Sequence, residues 1–401
     1  MTPEGDGAGK DPARTVSFAT PPASRPPLWR DVRVLKWVFQ LGVVGAVAML
    51  LGVLVNNVRA NSARLGIPTG FDYLDQPAQL TIPGNDMRAS QPVREAILQG
   101  TLNTLRVVIA GIVLATVIGI LIGIARLSGN WLLRNSARVY VEIIRNVPLL
   151  LIVIFSYLAF VITGLPTIDV AWEPLGIMVI SNRGAVVPWH DGSNTQVTAI
   201  LLAALIVAVA VGRLRVAWTD RRGGLPHAGF WGTLTFIAAA LILGRAGGVG
   251  LSVPVSNGRP SGGIVLAPEY FALLVALVVY TASHIAEIVR GSIQAVPKGQ
   301  NEAAQALALT PMQRMWKVVL PQAMRIAVPP IGNQYLNLLK NSSLGFAISY
   351  FELTKVTSVS IGNARPAVPS YLLLIAIYLV FSVALEFMVN LTNRRLALVQ
   401  R

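Results

Sequence analysis

Along the chain, apolar runs of roughly 14 to 31 residues alternate with short polar, basic or Gly/Pro-rich stretches, and the two-residue alternation of half-buried strands is missing. Runs approaching ~20 residues cross a bilayer as helices, the spanning form in which every backbone group bonds within its own segment. Eight runs predict spans at about 34–58, 97–127, 147–163, 197–211, 230–243, 268–295, 324–339 and 370–391. The pattern predicts an all-α, polytopic helical membrane protein.

Details within the runs sharpen this. Gly111, Ala115, Gly119 and Gly123 recur every four residues, a small-residue ridge along one face of the second span that lets another helix approach closely. Pro148 stands at the start of the third span and Pro268 opens the sixth, where a missing N–H costs least, while Pro329 and Pro330 interrupt the seventh. Residues 1–33 read as a disordered tail, 244–267 as a loop, and 341–369 as a partly buried re-entrant segment.

Only 13% of residues are charged while 54% are hydrophobic, against about 25% charged in an ordinary soluble domain. The net charge of +15 would suggest nucleic acid in a soluble chain, but the basic residues fall between apolar runs, where they set orientation. Of the 33 Lys and Arg, 22 lie on segments that eight spans place inside and 10 on segments placed outside, with Arg106 in a span. Both termini and the polar stretch near Glu302 are thereby expected in the cytoplasm. Nucleic acid is not expected as a partner.

Without cysteine there is no disulfide framework, thiol nucleophile or iron–sulfur site. His190, His227 and His284 are too scattered to share a metal. Residues 5–10 superficially evoke a phosphate loop, but Glu4 occupies the place of its first glycine and Asp11 that of its hydroxyl residue. No cofactor or metal is expected on this chain.

The longest polar interruption, residues 299–321, has the composition of short helices. Thr310-Pro311-Met312-Gln313 has the layout of a capping box, with proline at the first helical position. Upstream, Asn301 is positioned to cap a first helix in which Glu302 favours the dipole and Ala303, Ala306 and Leu307 share an apolar face. Arg314 and Lys317, three apart, share a face suited to an acidic partner. Two short helices joined near residues 308–310 are expected to stand off the membrane as a rigid knob.

At these residues the sequence resembles the coupling loop of permease subunits of bacterial ABC importers, whose pattern is Glu-Ala-Ala, three residues, Gly, nine residues, an aliphatic, one residue, Leu-Pro. Here the positions are Glu302-Ala303-Ala304, Ala308, Val318 and Leu320-Pro321. Ala308 replaces the glycine, so the bend is not expected to use a positive φ without strain. Glu287-Ile288-Val289-Arg290-Gly291, Gly299-Gln300, Tyr335-Leu336-Asn337 and Lys340-Asn341-Ser342-Ser343-Leu344 are similar to the polar and basic amino-acid branch. Tyr140, Glu142, Arg145 and Pro148-Leu149-Leu150 match its earlier cytoplasmic signature.

The resemblance covers about 97–163 and 262–393, the two parts of a five-helix permease core. It leaves an additional N-terminal helix at 34–58, a periplasmic loop at 59–96, periplasmic segments with an inserted helix pair in 164–261, and a cytoplasmic tail at 394–401. Such additions resemble those of general L-amino acid permeases, which work beside a second, similar permease. The resemblance implies a multi-pass protein of the bacterial inner membrane that moves L-amino acids from a periplasmic binding protein, driven by separate ABC ATPase subunits. On that reading the chain is not an enzyme. It implies ATPase coupling through Gly299, Gln300, Glu302, Ala303, Ala304, Ala308, Arg314, Lys317, Val318, Leu320 and Pro321.

Charged residues inside apolar runs invite separate attention because the bilayer makes them costly. Glu287 and Arg290, three apart near an inner helix end, are expected to form an ion pair, and Glu386 to reach the interface. Arg106 either lines a polar path or pairs with another subunit. Asn341, Ser342 and Ser343 either offer hydrogen bonds to a zwitterionic solute or cap the seventh helix. The alternative function is a secondary transporter driven by an ion gradient, which would want paired intramembrane carboxylates or inverted repeats. Neither is evident, and no nucleophile–base constellation supports an embedded enzyme.

Overall fold

A computed structural model describes residues 32–83, 87–222, 228–256 and 260–396. The expected disordered tail lies almost wholly outside the described residues, as do 5–10 and, in the closing tail, 397–401.

The first of two compact units holds a single long helix, α1 (Val32–Leu65). It runs seven residues beyond the predicted span, because Arg59, Asn61, Ser62 and Arg64 prolong the helix with polar residues. Its apolar side chains, Trp37, Phe39 and Leu50 among them, face outward all round, as lipid contact requires.

The second unit contains α2 (Val93–Ala125), α3 (Trp131–Asn146), α4 (Leu149–Ser156), α5 (Asn194–Arg222), α6 (Ala228–Ala246), α7 (Pro268–Gln294), α8 (Lys298–Ala306), α9 (Pro311–Arg314), α10 (Leu320–Asn341), α11 (Leu353–Gly362) and α12 (Ala367–Leu396). Every predicted span coincides with a helix, α4 being lengthened by a π-helical turn, Tyr157–Ile162. Length and apolarity alone single out α1, α2, α5, α7 and α12 as membrane-crossing, and α3 with α4 forms a candidate span bent by 104°. α6 is shorter, and α10 stays helical through Pro329 and Pro330. Residues 131–146, which the sequence places in a cytoplasmic return, are the amphipathic helix α3.

The packing centre is the pair α2 and α7, with α10, α4 and α3 also lying on α7. The small-residue ridge explains the closeness. A Cβ at Gly119 would lie 2.7 Å from Ile285 and 3.0 Å from the Ala282 carbonyl; at Gly123 it would lie 2.8 Å from Val289 and 2.9 Å from the Ala286 carbonyl. Leu273, Leu277, Ile285 and Leu338 are fully buried around this seam. Lipid supplies little hydrophobic drive between helices, so such contact has to come from packing.

The inserted helices α5 and α6 pack chiefly on each other, with Ala204 and Ala208 buried between them. The Arg215 guanidinium lies 4.3 Å from the Trp231 ring centroid, a cation–π contact that shields its charge. Short strands, unforeseen in the sequence, join the segment before α5 to the segment before α7. They are β1 (Val179–Ser181), β2 (Gly184–Val187), β3 (Trp189–His190), β4 (Leu251–Ser252), β5 (Val255–Ser256), β6 (Pro260–Ser261) and β7 (Ile264–Leu266). β1, β2 and β7 form one antiparallel sheet, and β7 leads directly into α7. At Gly184 φ is +116° and a Cβ would sit 2.3 Å from the Leu266 carbonyl oxygen, so this turn needs glycine.

A second core gathers the loop before α2 against α11: Tyr73, Ala78, Leu80, Ile82 and Met87 pack with Leu353 and Val356. Asn363 donates to the Gln79 carbonyl at 2.9 Å, and Arg365 binds Gln76 and the Pro77 carbonyl. The segment expected to be re-entrant is thus built into a cap with the loop before α2.

Candidate functional site

The polar stretch forms a knob, though not with the start expected. α8 begins at Lys298 after Pro297, so Asn301 falls inside the helix and does not cap it. Proline's fixed φ already suits a helix start. Asn301 Oδ1 instead accepts from Arg314 at 3.4 Å, joining the two halves of the knob. At the other end of α8, the Leu309 amide donates to the Ala304 carbonyl at 3.2 Å and the Ala308 amide to the Gln305 carbonyl at 2.9 Å. This is a Schellman motif with Ala308 in the left-handed position, φ 54°. The bend uses a positive φ at Ala308, the strained arrangement foreseen for a residue with a Cβ at this place. The strain, roughly 1 to 2 kcal/mol for a residue with a Cβ, is offset by the two carbonyls it satisfies.

The capping box forms as expected: Gln313 N–H donates to Thr310 Oγ1 at 3.3 Å, and Thr310 N–H to Gln313 Oε1 at 3.1 Å. Beyond the cap, the chain departs from the expected pair of freestanding short helices. α9 passes through a π-helical turn, Met315–Val319, directly into α10, so residues 311–341 are one helical run. Ala304 and Val319 are buried, and Gln322 Nε2 donates to Gln300 Oε1 at 3.2 Å, fastening α8 to the run. Glu302, Ala303, Ala306 and Lys317 face outward, and Gly299 has open space around it. Leu307, Met312 and Trp316 are also exposed, with Trp316 Nε1 3.1 Å from Met312 Sδ. The sequence reading assigns Met312 and Trp316 no role, although large apolar residues in a polar loop are a signal.

The solute-path candidates lie on α2 and at the C-terminal end of α10. Arg106 donates to Asn103 Oδ1 at 3.1 Å, Asn103 Nδ2 to the Phe351 carbonyl at 2.9 Å, and Tyr350 OH to the Asn103 carbonyl at 3.1 Å. Among the described residues no carboxylate comes within ion-pair distance of Arg106. The Ser342 and Ser343 hydroxyls donate to their own helix, to Leu339 at 2.7 Å and Lys340 at 2.8 Å, and Asn341 ends α10. No hydrogen bond joins these three to Arg106 among the described residues. A cavity of about 1450 Å³ between α2, α7, α10 and α12 is almost wholly apolar and includes none of the four, so it is a poor path for a zwitterion.

Glu352, to which the sequence reading assigns no role, is fully buried at the start of α11. Its carboxylate accepts from the amides of Thr354 at 2.8 Å and Lys355 at 2.7 Å and from Tyr378 OH at 3.1 Å. Burial pushes the carboxyl up to about 7, against these three donors.

Glu287 meets Arg290 as expected, and also Arg126 and, at 3.8 Å, Arg145.

A multi-pass helical core carrying an exposed polar knob is the arrangement that the sequence resemblance implies for the membrane-spanning component of an importer. The family model described as binding-protein-dependent transport system inner membrane component matches residues 111–398, and the chain belongs to that family of inner-membrane ABC permeases. It is 37% identical to YhdX of Escherichia coli (strain K12) over 96% of this chain and 98% of that protein. It is also 37% identical to the general L-amino acid transport system permease protein AapQ of Rhizobium johnstonii, over 94% of each. With the glutamate/glutamine/aspartate/asparagine transport system permease protein BztB of Rhodobacter capsulatus it shares 34% over 87% of this chain and 90% of that one. With so little of either chain left over, the first two alignments include α1 and the α5–α6 pair.

Proposed function

We propose that this permease carries L-amino acids inward and that the α8–α9 knob receives the stroke of a separate ABC ATPase subunit. The observation that carries this reading is the continuity of the exposed knob with α10. Three links make α7, α8 and the run through α10 one body at their inner ends: the short turn after α7, the Asn301–Arg314 bond and the Gln300–Gln322 bond. A force on the knob therefore tilts α7 and α10 together. An ATPase drives that tilt only by binding the two permease conformations with different free energy.

The remaining partners on this reading are a periplasmic amino-acid-binding protein and a second permease, a similar but different chain, consistent with extra helices shared with AapQ. The bias of Lys and Arg supports termini inside and the outer cap in the periplasm. Arg106, whose guanidinium lacks a carboxylate partner among the described residues, is the group we assign to the solute's carboxylate, with Asn341 and Ser343 farther along the path; Ser342, fully buried with its hydroxyl on the Leu339 carbonyl, ends the helix instead. The test is uptake in cells and co-purification of the ATPase with Glu302→Lys and Ala303→Trp. The reading expects loss of both with normal membrane insertion, and wild-type uptake in either variant would overturn the knob's role.

A further inference from the structure

The inner ends of α2, α3 and α7 converge on an unbalanced charge cluster that the coupling role does not use. Glu287 contacts three guanidiniums: Arg126, which caps the end of α2, Arg145 from the end of α3, and Arg290 from its own helix. One carboxylate thus faces three cations. The other acid nearby on α3, Glu142, is taken by Arg138 at 2.8 Å. Donor capacity is also left over. Arg290 Nη1 reaches Gln294 at 2.6 Å, but its buried Nε has no hydrogen-bond partner. Arg145 touches Glu287 only at 3.8 Å and keeps 42% of its side chain exposed.

A second observation sets this cluster beside an exposed apolar face. α3 is amphipathic and bent by 104° from α4, and it exposes Trp131, Leu132, Leu133, Val139 and Ile143. An amphipathic helix with basic residues and an exposed apolar side terminating in tryptophan suits the headgroup boundary. Surplus guanidiniums held between helix ends at that depth are a recognised form of site for anionic headgroups, since a phosphate accepts from several forks at once.

We infer that Arg126, Arg145 and Arg290 hold the phosphate of an anionic phospholipid, with Glu287 fixing the geometry of the cations. The inference rests on the membrane-spanning reading and not on the coupling role.

The test uses the full chain with its co-purifying partners in mild detergent, with phosphatidylglycerol or phosphatidylcholine added, and counts retained lipid by native mass spectrometry. Phosphatidylglycerol should be retained in preference, and Arg145→Gln should lower its retention about fivefold without changing that of phosphatidylcholine. Arg138→Gln removes the same charge from the same helix outside the cluster and should leave retention unchanged. Equal retention of the two lipids, an equal loss in both variants, or displacement by inorganic phosphate would each overturn the site. Because lipid retention is read without transport, failure here leaves the importer reading standing, and failure of uptake leaves this result standing.

Discussion

At its inner end the helical run through α10 starts from the solvent-facing Thr310 cap beside exposed Leu307, Met312 and Trp316. At its outer end the same run continues as a tighter helix, Ser342–Ile348, and turns at Ser349 onto the buried Glu352. Both turns use a non-glycine residue with left-handed backbone, Ala308 at φ 54° and Ser349 at φ 63°. Their surroundings differ. The outer turn is locked to α2, α11 and α12 through Asn103, Tyr350, Glu352 and Tyr378. The inner turn is closed by its own backbone bonds and the Thr310–Gln313 cap, and leaves Leu307, Met312 and Trp316 exposed. The contrast separates an anchored end from an end built to be engaged.

Substitutions should reproduce that asymmetry in thermal unfolding of the purified complex. Glu352→Ala removes the acceptor for two amides and a hydroxyl in a buried place, and should cost about 2 to 3 kcal/mol. An unchanged unfolding midpoint would show that the outer end is not anchored there. The same residue gives a pH test. Its folded value of about 7 lies above the roughly 4.3 of a free glutamate, so the folded state holds the proton more tightly. The stability this confers is full below about pH 4 and is lost as pH rises through about 7. Unfolding midpoints at pH 5 and pH 8 should differ in that sense, and Glu352→Gln should narrow the gap.

At the inner end the effects are smaller. Thr310→Ala should cost about 1 kcal/mol through loss of the cap. Ala308→Gly should stabilise the complex by up to about 1 kcal/mol, because glycine relieves the left-handed strain. A destabilising Ala308→Gly would mean that the bend is not strained.

Much of this was legible in the sequence. The eight apolar runs locate their helices because spans are long relative to the errors of boundary reading. The Gly111–Ala115–Gly119–Gly123 spacing locates the α2 seam, and Thr310 to Gln313 predicts its cap. The failures are local or long-range. Pro297 starts α8 earlier than Asn301, the more visible capping residue. The seventh span is expected only from about 324, yet a π-helical turn joins α9 to α10 and the helix runs on through Leu320 and Pro321. Strands of two to four residues leave too short a pattern to read. The Arg126–Glu287 contact and the Tyr378 bond that helps bury Glu352 join residues distant in the chain, which fold geometry alone brings together.

The central claim, that the free inner end is the ATPase-coupling surface, is tested most directly with Glu302→Lys. One preparation of this variant should be measured for unfolding midpoint, ATPase co-purification and amino-acid uptake. The account predicts an unchanged midpoint, because Glu302 is exposed, together with lost ATPase association and lost uptake. A variant that keeps its ATPase partner and transports normally would contradict it.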